Sequence, residues 1–151
     1  MFIEQEYYTE ILKVLPIVCV DTVIVYAGRI LLLLRDNDPA KGQYWFPGGR
    51  ILKGELIEDA ALRKVREEVN LDCKYERIIS VEETIFSQQV KMVSDIHTVN
   101  ICCQLLAHDT DNLVIDQFHD GYIWVNLEQA EKLNLHEAVY IPLRRCLEGL
   151  F

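Results

Sequence analysis

The chain predicts an α/β fold in which helices flank a mixed β-sheet, an αβα sandwich. Three observations carry that expectation. A β-branched run from Ile17 to Tyr26 turns back through Ala27-Gly28 into Arg29 to Arg35, whose four consecutive leucines suit a strand covered on both faces. An amphipathic stretch from Glu55 to Val69 follows a Pro-Gly-Gly turn and repeats its apolar residues at helical spacing. Two long segments, residues 73–87 and 93–107, then supply a further pair of strands.

The elements follow in order. Residues 3–14 place Ile3, Tyr7, Ile11 and Leu12 at helical spacing, and Pro16 closes that segment just past Leu15. The first strand carries one acid, Asp21, in an otherwise apolar run; a carboxylate there either faces a ligand or pairs with an arginine of the core. Residues 36–43 are polar, contain Pro39 and Gly42, and read as a loop. Tyr44-Trp45-Phe46 is a short extended piece before the Pro47-Gly48-Gly49 turn. The helix of residues 55–69 buries Ala61, Leu62, Val65 and Val69. The two long strands are joined through the polar segment Ser87 to Lys91. A short strand at 122–125, a short helix at 127–133 and a final helix at 136–147 complete the reading. No repeat or linker interrupts it, so residues 1–151 are expected to form one domain.

Composition narrows the function. Half of the residues are hydrophobic, yet no apolar run approaches the roughly 18 needed to span a bilayer, so no membrane partner is expected. The net charge of −9 argues against a nucleic-acid backbone as partner. An acidic protein that handles phosphates needs a divalent ion to bring the two together. Residues 1–15 carry Glu4, Glu6 and Glu10 and no basic leader. The five cysteines (Cys19, Cys73, Cys102, Cys103, Cys146) are odd in number and lack metal-ligand spacing. They read as reduced thiols of a cytoplasmic protein.

The richest chemistry lies between Gly49 and Leu71. Glu67 follows Arg63 by one helical turn, so the two stack on one face, and Glu68 lies beside them. Adjacent carboxylates at a helix end oppose the helix dipole and repel each other, so a cation is expected there. Mg²⁺ (or Mn²⁺), which accepts one or two carboxylates together with substrate phosphates, is the leading candidate. Arg35 and Arg50 flank the loop that ends in the diglycine, and guanidinium forks suit diphosphate oxygens. His119, in Phe118-His119-Asp120-Gly121-Tyr122, is placed in a loop before the next strand, with Asp120 able to raise its basicity as a general base.

This segment resembles the Nudix box, in which a glycine precedes a glutamate by six residues and an Arg-Glu-aliphatic-x-Glu-Glu-x-Gly-aliphatic run closes the helix. Gly49, Glu55, Arg63, Val65, Glu67, Glu68 and Leu71 fall in register, while Lys64 replaces a box glutamate and Asn70 the box glycine. Asn70 is the mild change, because asparagine tolerates the left-handed backbone that ends helices. Gly42-Gln43-Tyr44-Trp45-Phe46-Pro47-Gly48-Gly49-Arg50, with Arg35, Asp21, the helix ending at Pro16 and His119-Asp120-x-Tyr122-x-Trp124, further resembles the GDP-mannose mannosyl hydrolase branch. That branch also lacks the glutamate replaced by Lys64. It differs in having a metal-binding glutamine where Phe118 stands (Gln117 is one place earlier) and a small residue in place of Glu67.

The resemblance implies the Nudix αβα fold and metal ligation by the Gly48 carbonyl and Glu68, with Glu67 as a second box carboxylate. It implies substrate binding by Arg35, Arg50 and Asp21, leaving-group stabilisation by the two arginines, and base catalysis by His119. The substrate is then a nucleoside diphosphate sugar, cleaved by attack at the anomeric carbon to give a nucleoside diphosphate and free sugar. Two other readings stand beside it: attack at phosphorus on a nucleoside di- or triphosphate derivative, and a non-catalytic nucleotide-sugar sensor in which Lys64 displaces the metal. More apolar residues on the first helix than one face would need (Phe2, Ile3, Tyr7, Tyr8, Ile11), and the resemblance to a dimeric branch, also point to a possible homodimer.

Overall fold

The computed structural model describes residues 2–88, 92 and 94–150. Along them run α1 (Gln5–Val14), β1 (Ile17–Tyr26), β2 (Arg29–Arg35), β3 (Tyr44–Trp45), β4 (Gly48–Arg50), α2 (Ile57–Val69), β5 (Cys73–Phe86), β6 (Ile96–Ala107), β7 (His119–Val125), α3 (Leu127–Glu131) and α4 (Glu137–Glu148). The β-branched residues of β1 make it the spine of one mixed sheet. It pairs parallel with β6 from Ile17↔Thr98 to Val25↔Leu106, and antiparallel with β2 and β4. The order is β3-β2-β1-β6-β5, with β7 added to β2 and β4 to β1.

Alternation along the strands divides the core. Ile30 and Leu32 of β2 join Val23, Cys102 and the α4 residues Val139 and Leu143 on one face. Leu31 and Leu33 join Val20, Ile24, Leu105 and the α2 residues Ala60, Ala61, Val65 and Val69 on the other. Ile30 and the first three leucines of the run, Leu31 to Leu33, are fully buried, as a doubly covered strand requires, while Leu34 is half-buried. The α/β sandwich with a mixed sheet is thus the observed fold.

Several boundaries differ from the sequence reading, each for a local reason. α2 starts at Ile57, because the Glu55 carboxylate folds back to accept the Leu52 N–H at 2.9 Å. Ala60 is fully buried in α2, and Leu62 is only half-buried. Residues 48–50 continue past the bend as a strand, held by the register Cys19↔Arg50 to Asp21↔Gly48. β7 begins at His119, three residues before the expected Tyr122, because a bulge at Leu34/Arg35 lets Arg35 pair with His119. β6 begins at Ile96; Val93, and Gln89 to Lys91 of the expected connection, lie outside the described residues. Among the described residues no helix is long and apolar enough to cross a membrane.

Candidate active site

The site is built on the diglycine bend. A Cβ on Gly48 would lie 2.3 Å from the Val20 carbonyl oxygen and 2.7 Å from Asp21 Oδ1, so only glycine lets β4 approach β1 here. A Cβ on Gly49 would meet Lys64 Cε at 2.8 Å, which places the lysine stem directly against the bend. The last turn of α2 then delivers Glu68 to Gly48, whose N–H donates to Glu68 Oε2 at 3.1 Å.

Around the helix end the charges are closely paired. Lys64 Nζ lies 3.0 Å from Glu68 Oε1 and 3.1 Å from Glu67 Oε2. Arg63 pairs with Glu55 at 2.6 Å and Glu67 at 3.2 Å, and donates to the Arg50 carbonyl at 3.1 Å. The hydrogen bond from Arg63 holds the Glu55 carboxyl at about 2, well below its ordinary value. Burial pushes Glu67 upward, but Lys64 and Arg63 outweigh it and keep that carboxyl below normal. Glu68 is buried, and burial raises its carboxyl despite Lys64, the Gly48 N–H and His119. The cation that two adjacent carboxylates demand is therefore supplied, in this structure, by Lys64.

β7 brings the histidine. His119 Nδ1 lies 2.6 Å from Asp116 Oδ1, with the imidazole 7% exposed. Asp120, the partner the sequence reading chose, is exposed. The correction follows from β7 starting at His119: neighbours along a strand point to opposite faces, so Asp120 turns away from the imidazole. Asp116 is fixed by its own N–H donating to the Glu68 carbonyl at 3.0 Å, and its Oδ1 also accepts the Phe118 N–H at 3.0 Å. Ligand atoms of Glu68, Asp116 and His119 all lie within 4.8 Å of one another. The two carboxylates, drawn together and sheltered, fit a hard divalent ion, with the imidazole close beside them. Sequence reasoning missed Asp116; the available signal was the one acid between Asn112 and His119, three residues before the histidine.

The remaining expected residues converge on the same cleft, about 640 Å³ in volume. Arg35 donates from Nε to the Pro39 carbonyl at 2.7 Å and from Nη2 to Asn37 Oδ1 at 3.3 Å, which fixes its guanidinium on the loop. The Arg50 guanidinium lies 5.4 Å from the Tyr8 ring centre, a cation–π contact that ties α1 to the bend. Asp21, for which a ligand-facing place and an arginine pair both stood open, is 4% exposed, lines the cleft and accepts from Asn100 Nδ2 at 3.0 Å. Burial pushes its carboxyl up to about 7. Trp45, Phe46 and Phe86 add aromatic lining, so the cleft combines charge with stacking surface.

Comparison with known proteins agrees with this geometry. The NUDIX domain profile matches residues 16–146. The low-salt glycan biosynthesis protein Agl8 of Haloferax volcanii is 32% identical over 118 residues, covering 78% of this chain and 75% of that protein. An ADP-ribose pyrophosphatase of Methanocaldococcus jannaschii is 39% identical over 66 residues, 44% of this chain and 39% of the relative. Among solved structures, a NUDIX hydrolase from Nitrosomonas europaea shares the fold with a TM-score of 0.70 at 19% identity, over 89% of this chain and 72% of that one. A MutT NUDIX hydrolase from Burkholderia pseudomallei gives 0.65 at 25% identity, over 91% and 99%. With the box in register, the mixed sheet and a profile match across most of its length, the chain belongs to the Nudix family of hydrolases.

Proposed function

We propose that the chain is a divalent-metal-dependent hydrolase of a nucleoside diphosphate sugar of the GDP-mannose type, releasing nucleoside diphosphate and free sugar. The observation that carries this reading is the sheltered His119–Asp116 pair standing against Glu68 in the cleft that also holds Arg35 and Arg50. The glycan-biosynthesis relative supports a sugar-linked substrate.

The Gly48 carbonyl, Glu68 and Asp116 would hold Mg²⁺, or Mn²⁺ in its place, which would neutralise the diphosphate and ease its departure. Asp116 takes the part expected of Glu67, whose oxygens face Arg63 and Lys64. Donation of Nδ1–H to Asp116 fixes the tautomer of His119 and leaves Nε2 as the acceptor. His119 Nε2 takes the proton of a water as its oxygen bonds to the anomeric carbon, and the carbon–oxygen bond to the diphosphate breaks. Arg35 and Arg50 donate to the phosphate oxygens on which negative charge grows. Asp21 and Asn100 offer sugar hydroxyls a buried hydrogen-bonding pair.

A panel of nucleotide sugars with Mg²⁺ and product identification tests the proposal. Free sugar and nucleoside diphosphate, formed without added phosphatase, are expected; binding of these nucleotides with no turnover and no metal dependence contradicts the enzyme reading. The pyrophosphatase relative favours a second reading, attack at phosphorus. Hydrolysis in ¹⁸O water separates the two, because the label ends on the sugar in the first and on a phosphate in the second. The same proposal includes a cytoplasmic enzyme, supported by five free thiols, and a homodimer, supported by an α1 without a fully buried residue.

A further inference from the structure

The reaction proposed above leaves two charged groups of the cleft, Lys64 and Glu67, without a part. Lys64 stands on α2 one turn before Glu68, its stem packed against Gly49 and its side chain 17% exposed. Its ammonium touches one oxygen of Glu67 and one of Glu68, at 3.1 and 3.0 Å. A cation seated between two carboxylate oxygens takes the place a divalent ion bridging them would need. The lysine cannot exchange with solvent, and its stem fills the space under the bend.

We propose that Lys64 is a resident cation that holds the second ion place of the cleft, so that the enzyme takes a single divalent ion at the Gly48 carbonyl, Glu68 and Asp116. The inference rests on the divalent-ion reading of that cluster. The physical reason is charge. Glu67 and Glu68 lie at the negative end of the α2 dipole and repel each other. In a chain without Lys64, Arg63 would still pair with Glu67, but Glu68 beside it would lack a cation, which an external ion would supply. With Lys64 between the two acids, and Arg63 also on Glu67, their repulsion is offset before any ion arrives, and Glu67 is withheld from ligation.

The test counts Mn²⁺ bound to the substrate-free chain, by the electron paramagnetic resonance signal of free Mn²⁺ and by calorimetry. The wild type is expected to bind one ion. Lys64→Met keeps the stem against Gly49 and removes the charge; Lys64→Glu adds a carboxylate. Both are expected to bind two. Glu67→Gln alone stays at one, and Lys64→Glu combined with Glu67→Gln returns to fewer than two. Circular dichroism establishes that each variant is folded, and Lys64→Met carries the test should Lys64→Glu unfold. Two ions in the wild type, or one in both lysine variants, overturn the inference and leave the divalent-ion reading standing. No ion in the wild type overturns both.

Discussion

Asp21 is a carboxylate sealed in the sheet, and its titration writes a signature on stability. Its folded value of about 7 lies above the ordinary 3.8, so between those values the native chain holds a proton the unfolded chain has lost. Stability from this residue is therefore present at low pH, declines as pH rises from about 4 to about 7, and levels off above. Denaturation of metal-free wild type and Asp21→Asn across that range is expected to differ in slope, the wild type losing up to about 1.4 kcal/mol more per pH unit than the variant. His119 carries the corresponding kinetic prediction. His119→Gln should lower kcat by about 10²- to 10⁴-fold with a small change in KM. Asp116→Asn, which unfixes the tautomer, should lower kcat as well and alter its pH profile. An unchanged kcat in both removes the base from His119. Glu67, Glu68, Arg35, Arg50 and His119 were legible because each sits at a telling spacing, and these five line one cleft. Asp116 and Asn100 were not, because what places them is tertiary: a hydrogen bond to the end of α2 and a parallel strand neighbour.

Two elements depend on single backbone positions. Gly48 touches β1 so closely that Gly48→Ala must push β4 off the sheet. The variant is expected to lose about 3 kcal/mol or more, roughly 10 °C in Tm, and to release Glu68 from the bend. A melt within 2 °C of wild type, a shift of under about 1 kcal/mol, shows that the approach is not needed. Asn70 ends α2 in the left-handed region (φ 54°), with Nδ2 donating to the Asn112 carbonyl at 3.0 Å. Asn70→Ala should therefore lose about 1 kcal/mol in chemical denaturation, whereas Asn70→Gly should be close to neutral. Element identity was readable from periodicity and turn residues, and Asn70 was read correctly as a helix end. Boundaries were harder wherever pairing, not propensity, decides them. Residues 48–50 are strand because β1 lies beside them, and His119 joins β7 because a bulge at Arg35 admits it. Neither cause is visible in the local sequence.

At the scale of the molecule, the sheet gathers its chemistry where β1, β2, β4 and β7 meet the end of α2, and α1 reaches across through Tyr8 to Arg50. The αβα arrangement followed from the sequence because hydrophobic patterning dictates layers. The assembly of the cleft did not, since Glu68, Asp116 and Asn100 are separated along the chain and meet only once the sheet is formed. The account stands on Glu68 as the carboxylate that ties the box helix to both the bend and the Asp116–His119 pair. Mg²⁺-dependent turnover of a nucleotide sugar, compared between wild type and a folded Glu68→Gln variant, tests it most directly. The expected result is a loss of about 10³-fold in kcat, worth some 4 kcal/mol in the transition state, with a steep rise in the Mg²⁺ needed. Undiminished turnover by Glu68→Gln at the same Mg²⁺ concentration contradicts it.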